Sequence, residues 1–248
     1  MAAKARRLLS SVWRRQARRA VLAVCLWLPV TAYADPIVSA RYAEPTERYA
    51  HAVLGDAIEY GALEVVRSSG AVVRHRLPET SVFEDTSPRL VDLDQDGAPE
   101  VIAVESSQTE GARLVVYGVD GRIAATPYIG TRFRWLAPVG AADLDGDGAV
   151  EIAYVDRPHL AKTLRVWRFE NRTLTQVTSF GGVTNHRIGE PDIAGGIRHC
   201  GGVPEMLVAS ANWGELLALR VSGDEITATP LGSDTTRAAF TRALRCDD

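Results

Sequence analysis

The sequence predicts an all-β fold made of about four copies of one antiparallel unit. Segments 62–94 and 113–145 match each other at an offset of 51 residues. A third copy of the same pattern begins at Leu164, and a fourth begins near Leu216. Repetition at a fixed period is the signature of a fold assembled from similar supersecondary units. The repeat therefore decides the fold class.

Each unit has the sequence patterns of four short strands, labelled A to D. The runs RLVVYG, LRVWRF and LLALRV are rich in valine, leucine and aromatic residues, and turns such as GVDGR and SGDE punctuate them. A loop rich in aspartate separates strand A from strand B. These features predict a β-propeller of about four four-stranded antiparallel blades. The alternative is a β-sandwich whose hairpins are similar by accident.

Residues 1–34 have the composition of a cleavable export signal. They contain seven basic residues, no acidic ones, an apolar run from Ala20 to Val30, and the small residues Ala32 and Ala34. The run is shorter than the roughly 20 residues that span a bilayer. We expect a signal peptide, no transmembrane segment after its cleavage, and a periplasmic or secreted protein. An uncleaved anchor is the alternative.

The exported part divides into two regions and is acidic. Residues 35–231 carry the repeats and form the predicted propeller, whereas residues 232–248 form a C-terminal tail with a helical pattern from Thr235 to Leu244. Cleavage removes seven of the 28 basic residues and none of the 31 acidic ones, which leaves a net charge of −10. This charge argues against nucleic acid as a partner and suits cations.

Two cysteines, Cys200 and Cys246, remain after cleavage. In an exported protein an even pair favours a disulfide, and this one would tie the tail to the last unit. Two unpaired thiols are the alternative, because the sequence does not give the distance between them.

The strongest chemical signal is a repeated acidic loop. DLDQDGAPEV and DLDGDGAVEI share aspartates at positions 1, 3 and 5, a glycine at position 6 that permits a sharp turn, and a glutamate at position 9. Calcium prefers six to eight oxygen ligands, including backbone carbonyls. The sequence therefore predicts two Ca2+ sites. Their ligands are Asp92, Asp94, Asp96, Ala98 and Glu100 in the first, and Asp143, Asp145, Asp147, Ala149 and Glu151 in the second.

Other interpretations of these loops are weaker. An EF-hand needs its bidentate acid at position 12, where Ala103 and Tyr154 stand, and magnesium demands a stricter octahedron. Metal-free turns would crowd four carboxylates together without a neutralising charge. Catalytic carboxylates need unequal environments, whereas the two loops are near copies.

Loops of the pattern D-x-D-x-D-G-x-x-[DE] between strands resemble the FG-GAP/VCBS repeat family, which is found in integrin α-subunit propellers and in exported bacterial proteins. The resemblance implies a propeller in which calcium stiffens the loop between strands A and B. It implies adhesion or ligand binding only loosely, because propeller blades serve many tasks.

The outer units depart from this family pattern, so neither is expected to bind calcium. In the first unit the ligand positions hold Arg41, Ala43, Pro45 and Tyr49, and YAHAVL takes the place of strand B. In the last unit they hold Asp192, Ala194 and Gly196. Four units close a ring if the segment Pro36–Tyr42 completes the last blade. The alternative is an open array that pairs with a second copy as a homodimer.

Strand direction separates two ends of the predicted propeller. In an antiparallel unit the A–B and C–D turns lie at one end, and the B–C and D–A connections lie at the other. The second end is rich in the residue types that proteins use to bind partners. The candidate partner-binding residues are Tyr128, Arg132, Arg134, Trp135, His186 and Trp213. The alternative is that Phe133 and Trp135 pack as core between units.

The sequence lacks the motifs of common nucleophilic, metalloprotease and phosphate-binding sites. We therefore expect an exported calcium-binding propeller that acts as a non-enzymatic binding or structural module for a protein or glycan partner. One competing class is a hydrolase or lyase with an active site on the propeller axis, where His51, His186 and acids outside the loops would have to converge. The other is a subunit of a cell-envelope assembly.

Overall fold

A computed structural model describes residues 35–247. These residues form antiparallel sheets and one short helix, which confirms the predicted all-β class. The expected signal peptide, residues 1–34, lies outside the described residues. Within residues 35–247, no helix has the length and apolarity needed to cross a bilayer.

The strands form successive layers in chain order. The first layer contains β1 (Ile37–Thr46), β2 (Glu59–Arg67) and β3 (Val72–Arg76), with β2 in the middle. The second contains β4 (Ser81–Phe83), β5 (Arg89–Val91), β6 (Glu100–Ser107), β7 (Gly111–Gly118) and β8 (Gly121–Ala125). Because β4 pairs with both β2 and β6, these two layers belong to one eight-stranded sheet.

The third and fourth layers are separate sheets. The third contains β9 (Leu136–Ala142), β10 (Glu151–Asp156), β11 (Thr163–Glu170) and β12 (Thr173–Gly181). The fourth contains β13 (Val183–Thr184), β14 (Gly196–Arg198), β15 (Glu205–Ser210), β16 (Leu216–Ser222) and β17 (Glu225–Gly232), and α1 (Arg237–Leu244) follows it. In both sheets strands A to D pair in chain order.

Strand A is continuous only in the third layer, where β9 pairs along the whole of β10. In the second layer β4 and β5 pair with opposite ends of β6 and are separated by residues 84–88. In the fourth layer β13 and β14 pair with opposite ends of β15 and are separated by residues 185–195. The two interruptions place residues 84–88 beside β6 and residues 185–195 beside β15.

The layers pack face to face, because successive side chains of a strand point to opposite faces. In β6, Val101 and Ala103 belong to the core shared with the first layer, whereas Ile102 and Val104 belong to the core shared with the third. A similar core joins the third layer to the fourth. Continuous apolar runs in the B strands therefore reflect burial on both sides.

The two ends of this stack are closed in different ways. Beyond the fourth layer, Phe240 of α1 packs against Leu207 of β15. Beyond the first layer, β2 turns Glu64 outward, where Arg41 and Arg74 donate hydrogen bonds to its carboxylate. Within residues 35–247, the strands of the first and fourth layers share no apolar core. Their loops do meet, because the Gly189 amide of the fourth layer donates a hydrogen bond of 3.0 Å to the Val53 carbonyl of loop 47–58.

The C-terminal tail is tied down as expected. The disulfide Cys200–Cys246 is present, with a Cα–Cα distance of 5.7 Å. The predicted helical segment forms α1, whose N-cap residue Thr236 accepts a hydrogen bond from the Ala239 amide. Helix and disulfide together hold the tail on the last layer.

The first unit differs from the sequence prediction. The segment Pro36–Tyr42 does not complete the last layer, because β1 pairs with β2 in the first. The proposed ligand positions Arg41, Ala43 and Pro45 lie inside β1 and not in a loop. Extrapolating the 51-residue offset to this unit was therefore wrong.

Packing explains the shift of strand B in the first unit. Ile37 enters the core beside Leu63. The segment Ile37–Thr46 therefore forms the strand beside β2 that was expected from YAHAVL. YAHAVL is instead part of loop 47–58. Tyr49 is fully buried in this loop, and its hydroxyl accepts a hydrogen bond of 2.9 Å from the Phe133 amide.

Candidate functional site

The two acidic loops join strand A to strand B in the second and third layers. The first acidic loop, residues 92–100, follows β5, and the second acidic loop, residues 143–151, follows β9. Gln95 Nε2 of the first donates a hydrogen bond of 2.6 Å to the Gly148 carbonyl of the second. The loops therefore lie side by side at one end of the stack.

Glycine at position 6 shapes both loops. Gly97 has a φ of 89° and Gly148 a φ of 93°, a region that glycine adopts without steric cost. Their amides donate hydrogen bonds of 3.0 Å to Asp92 and Asp143 respectively. The turn thus folds each loop back over its first aspartate.

The first acidic loop brings three carboxylates together. Asp92, Asp94 and Asp96 each place an oxygen within 4.8 Å of the others. Asp92 Oδ1 is buried and has no hydrogen-bond partner within residues 35–247. Burying such an oxygen without a partner is costly. The oxygen set and this orphaned atom fit a hard cation.

Glu100 lies at the base of the first acidic loop. Its Oε2 accepts a hydrogen bond of 2.9 Å from the Leu93 amide. Burial raises the pKa of Glu100, and the three neighbouring aspartates raise it further. A bound cation would reverse that effect, because it stabilises the ionised carboxylate.

The second acidic loop contains a positive charge of its own. Asp143, Asp145 and Glu151 place oxygens within 4.8 Å of one another. The Arg168 side chain of β11 lies among them, with nitrogen–oxygen distances of 2.8 Å to Asp145, 2.7 Å to Asp147 and 2.8 Å to Glu151. Burial raises the pKa of Glu151, an effect that Arg168 partly offsets.

Strand register explains why the first acidic loop has no such arginine. Across β10 and β11, Glu151 stands opposite Arg168. Across β6 and β7, Val101 pairs with Tyr117, so Gly118 is the next residue opposite Glu100. Two loops with one sequence pattern therefore differ in charge.

The geometry of the loops agrees with a family comparison. Residues 92–154 match the family model of the FG-GAP-like repeat. The match includes both acidic loops and the strands between them, which confirms the predicted resemblance for this part of the chain. A search of curated proteins found no significant match.

The loop of the fourth layer that corresponds to an FG-GAP-like acidic loop is residues 199–204, between β14 and β15. It contains Cys200 and no aspartate. Glu205 begins strand B as Glu100 and Glu151 do, and pairs with Arg220 at 2.9 Å.

The prediction that Asp192 keeps a ligand position of this unit was wrong. Asp192 lies between β13 and β14, outside the loop that corresponds to the acidic loops. Its carboxylate pairs with Arg237 of α1 at 2.9 Å. Residues 185–195 are an insertion in strand A, and the repeat spacing places the first ligand positions of this unit inside that insertion.

Four of the candidate partner-binding residues lie at or beside one cavity, at the end away from the acidic loops. Arg134 and Trp135 line it. His186 is buried behind it, with its ring centroid 5.0 Å from that of Trp135. Arg132 lies beside it, 4.3 Å above the Phe133 ring. Trp135 also belongs to the core between the second and third layers, which agrees with the core interpretation of this residue.

The other two candidates lie elsewhere. Tyr128 lies below the Arg113 guanidinium at 4.2 Å and lines a different, polar cavity. Trp213 lies 3.7 Å below the Arg187 guanidinium and packs with α1. The six residues therefore do not form one patch.

Histidines from different layers lie beside this cavity; the sequence analysis named His51 and His186 for an axial site but missed their partners Glu84 and His159. His51 Nδ1 lies 2.5 Å from Glu84 Oε1, and His159 Nε2 lies 3.1 Å from His186 Nδ1. Burial raises the pKa of Glu84. Burial and the neighbouring His186 lower the pKa of His159 to about 4. These residues stand in four separate loops, so no local motif marks them.

A buried acid lies near the His51–Glu84 pair. Glu59 begins β2 and is only 2% exposed. Burial and the charges of Glu84, Asp56 and Asp85 raise its pKa to about 9. Glu59 is therefore protonated at neutral pH.

Proposed function

We propose that this protein is an exported calcium-binding module of propeller type, with a binding or structural role and no catalytic one. The observation that carries the proposal is the first acidic loop, where three aspartates converge around the unpartnered, buried Asp92 Oδ1. The match of residues 92–154 to the FG-GAP-like repeat supports it.

The layers are best interpreted as four blades in an open arc. Each of the last three has strands A to D in order, as a blade has. The polar outer face around Glu64 and the helix on the fourth layer are the kind of caps that end a stack of repeats. Because both ends are capped, we infer a monomer and not a homodimer that joins open ends.

Calcium fits the first acidic loop better than the second. Asp92, Asp94, Asp96 and Glu100, with the Ala98 carbonyl and water, supply the oxygen ligands that calcium prefers. In the second loop Arg168 competes for Asp145, Asp147 and Glu151. The role of the metal is to neutralise carboxylates and stiffen the loop.

The compartment and partner follow from charge and redox chemistry. A disulfide that ties the tail to the last layer suits an oxidising environment outside the cytosol. The excess of acidic residues is unfavourable for nucleic acid. We propose a protein or glycan partner, which includes a place in a cell-envelope assembly.

A second candidate is an enzyme with its site on the inner side of the arc. The His51–Glu84 contact favours it, because a carboxylate that orients a histidine is a common arrangement for general base catalysis. Turnover of ester or glycoside substrates that is lost in His51→Ala and retained in Arg132→Met would support this candidate. Equal turnover in both variants would remove it.

Calorimetric titration with calcium tests the first proposal. We expect one tight site in the wild type, which Asp94→Asn abolishes. Asp224→Asn is the matched control, because Asp224 is an exposed acid in the C–D turn of the fourth layer. Absence of calcium binding by the wild type, or equal binding by Asp94→Asn, would contradict the proposal.

A further inference from the structure

Loops from all four layers build a cavity of about 380 Å³ at the end away from the acidic loops. His51 and Val53 come from loop 47–58, and residues 133–135 come from the connection between β8 and β9. Arg157, His159 and Leu160 come from the turn between β10 and β11, and Ile188 comes from the insertion in strand A of the fourth layer. A cavity of this size suits a small ligand or one or two side chains of a partner.

Part of the wall is apolar. Trp135 and Val53 are buried and form its floor. Ile188 and Leu160 are 72% and 61% exposed, and because both line the cavity they give it an apolar rim. An occupant with a bulky apolar group would cover this surface.

The charge of the wall is positive. Within residues 35–247, the Arg134 guanidinium donates to the Phe133 carbonyl at 3.1 Å and has no carboxylate partner. Arg157 pairs with Asp156 at 2.8 Å, but Asp156 also pairs with Arg165, so this group keeps a positive charge. The described lining of the cavity contains no aspartate or glutamate.

The wall is held in place by contacts behind it. The Trp135 indole donates a hydrogen bond of 2.8 Å to the Glu84 carbonyl, while the Glu84 side chain contacts His51 at 2.5 Å. His51 stacks on Phe133 with ring centroids 5.1 Å apart. A wall fixed in this way loses little entropy when a ligand binds.

Two lining residues adopt a strained backbone. Phe133 has a φ of 56° and Arg157 a φ of 45°, a region that costs a residue with a side chain about 1–2 kcal/mol. Such strain persists where the surrounding structure enforces it, and it is concentrated at functional sites. Here Phe133 directly precedes Arg134, and the Arg157 amide donates a hydrogen bond of 3.0 Å to the Trp135 carbonyl.

We propose that this cavity binds a carboxylate attached to a bulky apolar group. The Arg134 guanidinium donates hydrogen bonds to the carboxylate, and the apolar group packs against Trp135 and Val53. The inference rests on the proposed binding role of the module and names the chemistry of its ligand. Arginine suits this task because its planar fork matches a carboxylate. A cationic ligand finds no carboxylate among the lining residues and is repelled by Arg134, and a purely apolar ligand would desolvate Arg134 without compensation.

Calorimetric titrations of residues 35–248, in buffer that contains calcium, test this proposal. The probe is 3-phenylpropionate, and its neutral amide is the matched ligand control. A short peptide ending in phenylalanine, with a free or an amidated C-terminus, distinguishes a free acid from a carboxylate carried by a protein. We expect saturable binding of at least one carboxylate probe, and binding of its amide weaker by roughly ten- to a hundredfold.

Two arginine variants complete the test. Arg134→Met is expected to weaken carboxylate binding to the level of the amide, whereas Arg132→Met changes it less than about threefold, because Arg132 lies over Phe133 outside the lining. Equal affinity of acid and amide, no binding at millimolar concentration, or equal loss in both variants would overturn the proposal. Melting of the same samples with and without calcium checks the metal site separately. A failure of the carboxylate proposal can therefore be distinguished from a failure of the proposed calcium-binding function.

Discussion

Exchanging the charge between the two acidic loops is the most informative perturbation. Arg168→Met removes the guanidinium from the second acidic loop and keeps the length of the side chain. Gly118→Arg places an arginine at the corresponding position opposite Glu100. A Cβ on Gly118 meets only Ile123 at 3.5 Å, an ordinary contact, so the backbone at this position tolerates a side chain.

The magnitude follows from the three contacts of Arg168, each 2.7–2.8 Å from a carboxylate. Its side chain is 26% exposed, whereas that of Glu151 is fully buried. We expect Arg168→Met to cost about 2–3 kcal/mol of unfolding free energy without calcium, less than for a fully buried pair. If calcium must displace the guanidinium, its affinity for the second loop rises by roughly 30- to 150-fold in the variant.

Urea unfolding in EDTA and calorimetric titration with calcium measure these two quantities. The expected result is a reciprocal change: Arg168→Met gains a tight second site and loses stability without metal. Gly118→Arg loses the first site and melts at nearly the same temperature with and without calcium. If Arg168→Met binds calcium no better than the wild type, the guanidinium does not compete for the second loop and the reasoning fails.

Other perturbations have separable outcomes. Replacing Cys200 and Cys246 with serine removes the disulfide that closes a loop across 46 residues of sequence and so restricts the unfolded chain. The free energy of unfolding in urea should fall by about 4 kcal/mol, and an unchanged midpoint would refute this. Phe240→Ala should cost about 3 kcal/mol and expose the fourth layer, which gel filtration detects as association; a stable monomer would show that α1 is dispensable. The pKa of Glu59 is about 9 in the folded protein and 4.5 for an ordinary glutamate. The folded protein therefore loses stability as the pH rises between these two values, because only the unfolded chain ionises this carboxyl freely. Glu59→Gln should therefore match the wild type at pH 4 and exceed it by about 3 kcal/mol at pH 7, and equal pH profiles would contradict the burial of this group.

The parts of the fold that depend on local pattern were predictable from sequence. The apolar runs in the B and C strands and the spacing of the acidic loops place β6 and the loop at Asp92 correctly, because strands and tight turns depend on near neighbours. The disulfide Cys200–Cys246 was predictable because an even pair of cysteines follows a segment with the composition of an export signal. Helix α1 was predictable from its own pattern.

The remaining features depend on contacts between distant segments. Strand β1 was misplaced because loop 47–58 interrupts the repeat, and only packing beside Leu63 identifies the strand. The entry of Arg168 into the second acidic loop depends on the register of β10 and β11. The cavity around Arg134 depends on how loops of four layers meet. No local pattern encodes these arrangements.

Thermal melting of residues 35–248 in 1 mM calcium and in EDTA tests the central claim most directly. If calcium occupies the first acidic loop at about a hundred times its dissociation constant, it stabilises the fold by about 2.7 kcal/mol, or roughly 5–10 °C for a domain of this size. We predict this rise in the wild type and in Asp224→Asn, and its loss in Asp94→Asn. Identical melting curves for the wild type in calcium and in EDTA would contradict it.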